Sequence, residues 1–134
     1  MNLIGIDYGI NSPALCKWKF TDIEEDFRLE QCDFYTTCIG LNYEPLHNFF
    51  WYDVMEEMKG MENSELGNIC KYDYTSYFFT ERVDGNTIAV GLEGYSMGAK
   101  GLVFNIAEAT GILKYKIYNH TSSMNLQVFA PTEI

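Results

Sequence analysis

Positive charge is what this 134-residue chain most lacks: nine lysines and arginines stand against 19 aspartates and glutamates, a formal net charge of -10. Proteins that hold nucleic acid by neutralising phosphates usually show a basic face. The bulk charge therefore counts against that class. It leaves the class open, because a catalytic carboxylate cluster is itself acidic and charge can be segregated on one surface. Long apolar runs are missing too. No stretch approaches the ~18 residues of a membrane span. The apolar start, Met1 to Ile6, is far too short for a secretory signal and ends at Asp7. A soluble, intracellular, cytoplasmic protein is expected. Cysteine is sparse: Cys16, Cys32, Cys38 and Cys70 form no CxxC pair and have no histidine close by. That spacing argues against zinc and for free, buried thiols in a reducing compartment.

Aromatic and apolar residues are plentiful, at 16% and 47% of the chain. Such a chain can bury enough surface to offset its ordering entropy, so disorder is excluded. The length suits one compact domain, residues 1–134, with a single core.

Along the chain, residues 2–8 read as a buried strand around Leu3, Ile4 and Ile6. Residues 9–13, rich in Gly, Asn, Ser and Pro, form a tight turn. Residues 14–20 alternate as a returning strand, 22–26 make an acidic turn, and 27–37 supply a third strand. Short connections imply antiparallel pairing. Leu46, Phe49, Phe50, Val54 and Met58 have helical spacing, so residues 46–58 are expected to be a helix. Residues 59–71 show no clean period and read as a loop. Residues 74–83 suit either a helix or a strand. Residues 87–92 form an apolar, β-branched central strand ending at Glu93. A glycine-rich loop (94–101) precedes a helix with Leu102, Val103, Ile106 and Ala107 on one face and Gly111 as its C-cap. Residues 126–130 form the last strand before Pro131. The sum is an α/β architecture: a mixed five-stranded sheet flanked by helices, closed by crossovers long enough for parallel pairing.

Two carboxylates stand out by position, Asp7 closing the first strand and Glu93 closing the central one. Active sites of open α/β sheets gather at such strand ends. A carboxylate just past an apolar strand is poorly solvated on one side and needs a proton, a partner or a cation. Two side by side repel, and a divalent metal resolves the repulsion. The plainer alternative is that acidic residues end strands because turns begin there.

The run Ile4-Gly5-Ile6-Asp7-Tyr8-Gly9, followed by Asn11-Ser12-Pro13-Ala14, resembles the first-strand motif of RuvC-type junction resolvases, particularly phage-type RuvC-like endonucleases. Val90-Gly91-Leu92-Glu93-Gly94-Tyr95-Ser96 resembles their second motif, a strand ending in a catalytic glutamate. Gly98-Ala99-Lys100-Gly101, Ile106 to Gly111 and Leu113 to Lys116 keep the pattern into the next helix, and Phe129 to Ile134 resembles the following strand and Pro-Thr turn. The resemblance covers residues 2–20 and 87–134; the middle third adds nothing specific. It implies an RNase H-like fold, two Mg2+ or Mn2+ ions, and hydrolysis of branched DNA such as four-way junctions, often by a homodimer. Asp7 and Glu93 match the first two catalytic, metal-binding carboxylates. The family's remaining acidic residues come from a C-terminal helix after the Pro-Thr turn, preceded by a lysine-rich stretch. This sequence stops at Ile134, where that stretch is expected, so the catalytic helix is absent from it. Glu133 does not match the missing position.

On the same resemblance, Tyr95, Ser96 and Lys100 are candidate DNA contacts. Lys100, Lys114 and Lys116 are otherwise surface lysines on a solvated face. His47 and His120 have no neighbours that suggest a triad. Phe49 to Tyr52 read as core, with a dimer patch as the second choice. Two other functions compete. One is a non-catalytic binding or assembly module on the same fold. The other is an actin-like ATPase, whose phosphate loop also follows an Ile-Gly-Ile-Asp strand; the chain is short for two lobes and has no second Asp-x-Gly loop.

Overall fold

The computed structural model describes residues 1–9, 13–37, 48–61, 64–94, 103–120 and 125–129. The strands are β1 (Asn2–Asp7), β2 (Ala14–Lys19), β3 (Cys32–Thr36), β4 (Phe49–Trp51), β5 (Thr87–Glu93) and β6 (Asn125–Phe129). The helices are α1 (Val54–Glu57), α2 (Glu65–Thr80) and α3 (Val103–His120). All six strands join one sheet in the order β4-β3-β2-β1-β5-β6. β1, β2 and β3 form the antiparallel meander that short connections dictate. β5 and β6 run parallel to β1, and β4 runs parallel to β3. This is the mixed α/β layout, a sheet with helices, expected of the sequence, with a sixth strand.

That extra strand corrects the expected helix at 46–58. Phe49, Phe50 and Trp51 are aromatic and favour the pleated surface over a helix. They pair with Phe34, Tyr35 and Thr36, and Phe50 stacks on Tyr35 with ring centroids 5.1 Å apart. Asp53 then stops the strand and caps α1, its carboxylate accepting from the Glu56 N–H at 3.0 Å. Only the four residues of α1 are helical there; residues 46 and 47 lie outside the described residues.

The expected loop at 59–71 is also corrected, because α2 begins inside it. Ser64 caps the helix by accepting from the Gly67 N–H at 2.8 Å. Gly67 is required there: a Cβ would lie 1.9 Å from the Met61 carbonyl oxygen, which sits against the first turn. Residues 74–80, open between helix and strand in the sequence, continue that helix. The third strand is shorter than expected, since residues 29–31 form a 3-10 turn before Cys32. Gly111 is not a C-cap. α3 runs through it to His120, because Leu113 and Ile117 extend the buried stripe begun at Ala109.

α2 and α3 pack on each other and on one face of the sheet. The core there joins Ile4 and Ile6 of β1, Leu15 of β2, and Val90 and Leu92 of β5 to Phe79, Leu113 and Ile117 of the helices. Strand side chains alternate between faces. Gly5, Asp7, Gly91 and Glu93 therefore project from the opposite face. Cys32 is buried as expected, but Cys16 and Cys70 are only half-buried; these three are free thiols, and Cys38 lies outside the described residues. No described helix is long and apolar enough to cross a membrane.

Candidate functional site

Asp7 and Glu93 are the last residues of β1 and β5, two neighbouring parallel strands. Their ladder is in register up to Ile6 and Leu92. Both of those side chains are buried in the core, so the next residue of each strand turns to the other face. The two carboxylates thus leave the sheet at the same end, from the same face, on strands about 4.8 Å apart. Asp7 is exposed and Glu93 half-buried. Among the described residues neither is hydrogen-bonded or ion-paired; the ion pairs there are Lys17–Asp84, Lys19–Asp33, Arg82–Glu81 and Lys116–Asp73.

The two strand positions directly below the pair carry no side chain. One step back along each strand, Gly5 pairs with Gly91. Nothing lies within 4 Å of a Cβ built on Gly5, whereas one on Gly91 meets the Phe129 ring at 3.3 Å. Phe129 is the β6 residue opposite Glu93, and its ring lies over Gly91 while remaining 41% exposed. The Gly94 N–H donates to the Phe129 carbonyl at 2.6 Å, which continues the β5–β6 ladder past Glu93 and fixes where that strand ends. On the β2 side, Ala14 stands opposite Asp7 and Cys16 opposite Gly5. Thr36 donates its hydroxyl to the Pro13 carbonyl at 2.7 Å and so ties the end of β3 to the residue that leads into β2.

Among the described residues this arrangement offers hard oxygen donors and no activated nucleophile. Burial, followed by the adjacent Cys32 thiol, pushes Cys16 up to about 12, so at neutral pH it is a protonated thiol. Burial also holds the Tyr8 phenol above its ordinary value, and its ring packs edge-on against Phe79 in the core. Paired carboxylate oxygens without a cationic partner suit a divalent cation such as Mg2+ or Mn2+. Among the described residues no group of three His, Cys, Asp or Glu side chains comes together.

Tyr95, Ser96 and Lys100 lie outside the described residues, as does His47. Lys114 and Lys116 sit on α3, on the covered side of the sheet and away from the carboxylate pair. Lys116 is held by the Asp73 carboxylate and by the Asp73 carbonyl at 2.8 Å. His120 is hydrogen-bonded through Nε2 to the Val83 carbonyl at 2.8 Å, a structural role. The residues not singled out from the sequence are Gly5, Gly91 and Phe129. A glycine inside a strand signals close backbone approach, so the two glycines carried a usable signal; Phe129 carried none.

A polar cluster was also missed, at the far end of the sheet. Asp84 accepts from Lys17 Nζ at 2.8 Å, from Asn2 Nδ2 at 3.1 Å and from the Asn86 N–H at 2.8 Å. Thr87 donates its hydroxyl to Asn2 Oδ1 at 2.6 Å. The cluster fastens the beginnings of β1 and β5 together. The Asp84-Gly85-Asn86 turn is its trace in the sequence.

No protein-family model matches the chain, and no curated protein matches it. Among solved structures it is similar to the RuvC structure of Thermus thermophilus, with 11% identity and a TM-score of 0.44 over 98% of this chain. The chain spans 64% of the length of that structure.

Proposed function

We propose that this chain is the RNase H-like domain of a divalent-metal-dependent endonuclease that cuts branched DNA, such as four-way junctions, with Asp7 and Glu93 as metal ligands. One observation carries the reading: two carboxylates side by side at the ends of adjacent parallel strands, with no cationic partner among the described residues. Mg2+ or Mn2+ bound there supplies Lewis-acid activation of water and of a phosphodiester. The protein's own part is to hold two oxygen donors in fixed register and to keep the surface beneath them low. With Gly5 bare and the Phe129 ring over Gly91, a nucleic-acid backbone can approach the sheet most closely at Gly5 among the described residues. Mg2+ usually takes one or two carboxylates and completes its shell with water and phosphate oxygens. The resemblance to junction resolvases gives the substrate class, and a two-fold-symmetric junction suits a homodimer.

The test is a thermal melt with and without Mg2+ or Mn2+, paired with cleavage of a labelled four-way junction. Divalent cation is expected to raise the melting temperature of the wild type, and Asp7→Asn to remove that gain along with any cleavage. A wild-type melt indifferent to both cations sinks the reading.

The absence of a third ligand among the described residues favours a second reading, a non-catalytic module on the same fold. It expects folding and partner binding to be indifferent to Asp7→Asn.

A further inference from the structure

On the face of the sheet opposite α2 and α3, the two sides of the carboxylate pair differ among the described residues. Towards β2 the relief is low. Gly5 has no atom within 4 Å of a Cβ position, and the β2 residues beside Asp7 and Gly5 are Ala14 and Cys16. Ala14 is exposed and Cys16 half-buried, so those two positions raise only a methyl and a thiol. Towards β6 stands a wall. Phe129 leans from the edge strand back over β5, with one ring carbon 3.3 Å from where a Gly91 Cβ would be and another at 3.8 Å. The backbone beneath the ring is fixed: Phe129 pairs with Glu93 in the parallel ladder, and its carbonyl accepts from the Gly94 N–H at 2.6 Å. The ring itself is 41% exposed. An aromatic resting on a cross-strand glycine supports a sheet edge, and that packing explains the contact with Gly91. Its consequence for the site is an approach that is open on one side only.

A polymeric substrate feels this asymmetry. DNA repeats the same phosphodiester along its length, so two carboxylates alone do not determine which link is cut. Misplacing a reacting group by about 1 Å costs about a hundredfold in rate, so a fixed stop beside the metal ligands has a direct effect on where chemistry occurs. We propose that Phe129 is that stop: a DNA strand crosses the sheet from the β2 side over Gly5, abuts the Phe129 ring, and so presents one phosphodiester to Asp7 and Glu93. The inference rests on the nuclease reading above and adds to it the residue that sets the cut position. Neighbouring β-strands lie about 4.8 Å apart, and one DNA strand advances about 3.4 Å per nucleotide. Without the ring, the low path widens by one strand spacing, which lets the DNA advance by roughly one nucleotide.

The experiment maps cut positions at nucleotide resolution on an end-labelled four-way junction with Mg2+ or Mn2+, using the full chain. Wild type and Phe129→Tyr, which keeps the ring, are expected to share one dominant cut in each cleaved strand. Phe129→Ala is expected to spread the cuts onto the adjacent phosphodiester on one side. Phe129→Val, which removes the ring but keeps a residue that favours strands, is expected to do the same and serves if the alanine variant folds poorly. Gly5→Leu, for which the structure has room, is expected to keep the melting-temperature gain with divalent cation and to lose cleavage by about tenfold or more. Folded Phe129→Ala and Phe129→Val proteins that cut only where wild type cuts overturn the inference and leave the nuclease reading standing. Loss of cutting in those variants without redistribution also overturns it, because a stop governs position. So does Gly5→Leu that cuts at the wild-type rate, since the strand then does not pass over Gly5. Wild type that cuts nothing with either cation overturns the nuclease reading, and the inference with it.

Discussion

Gly5 and Gly91 stand side by side in the β1–β5 ladder, yet only Gly5 has room for a side chain. Glycine inside a strand costs roughly 0.5–1 kcal/mol relative to alanine. Gly5→Ala is therefore expected to raise stability by about that amount. Gly91→Val pushes against the Phe129 ring and is expected to lower it by about 1 kcal/mol. Urea denaturation of the two variants beside wild type checks the contrast. Equal effects at both positions would show that Phe129 does not rest on Gly91.

Asp84 gives a pH dependence of known sign. Burial alone raises its carboxyl, but the hydrogen bonds from Lys17, Asn2 and the Asn86 N–H outweigh burial and hold it down to about 2. An unfolded aspartate titrates near about 3.9. A depressed folded value means the contribution is complete above about pH 4 and is lost as pH falls through about 2. The carboxylate is 45% exposed, so screening keeps the effect to about 1 kcal/mol. The stability difference between wild type and Asp84→Asn is expected to be constant from pH 7 to about 4 and to shrink towards zero at pH 2. A difference that persists at pH 2 would mean the amide disturbs the turn rather than the charge.

Phe79 tests the core. It is fully buried between α2 and the sheet and touches the rings of Tyr8 and Phe78. Phe79→Ala is expected to cost about 3–5 kcal/mol. The neighbouring Tyr8 hydroxyl is buried with no hydrogen-bond partner among the described residues. Tyr8→Phe is therefore expected to cost nothing measurable, or to stabilise by up to about 1 kcal/mol. Calorimetric melts of both variants read the two predictions together.

Gly111→Ala replaces the poorest non-proline helix former with the best at an exposed position of α3. A gain of about 1 kcal/mol is expected, checked by chemical denaturation. A loss would show that the Gly111 backbone is held in a conformation alanine resists.

The parts of this structure legible in the sequence were those where one physical signal acted alone. β1, β2 and β5 carry uninterrupted apolar or alternating runs bounded by turn residues, and they fall within a residue of expectation. Strand ends located Asp7 and Glu93, but only the parallel register places them on one face. β4 was hidden because Leu46, Phe49, Phe50 and Val54 satisfy a helical period by coincidence, while the aromatic side chains pack as a strand on β3. The start of α2 was hidden because glycine and asparagine weaken its first turn, and the carbonyl of Met61 that demands Gly67 is a tertiary contact. Gly111 misled because a glycine ending a helix and a glycine left open on its surface read alike.

Asn2 and Thr87, which meet where β1 and β5 begin, lie 85 residues apart in the chain. Closing so long a loop is entropically costly, and sheets held by such distant pairings form slowly. During synthesis β1 leaves the ribosome with its first partner, β2, long before β5 exists. Until then Asp7 is an ordinary solvated acid at the open edge of a hairpin. The acquisition of any cation-dependent property should therefore track the slowest refolding phase, the one in which the fifth strand finds the first.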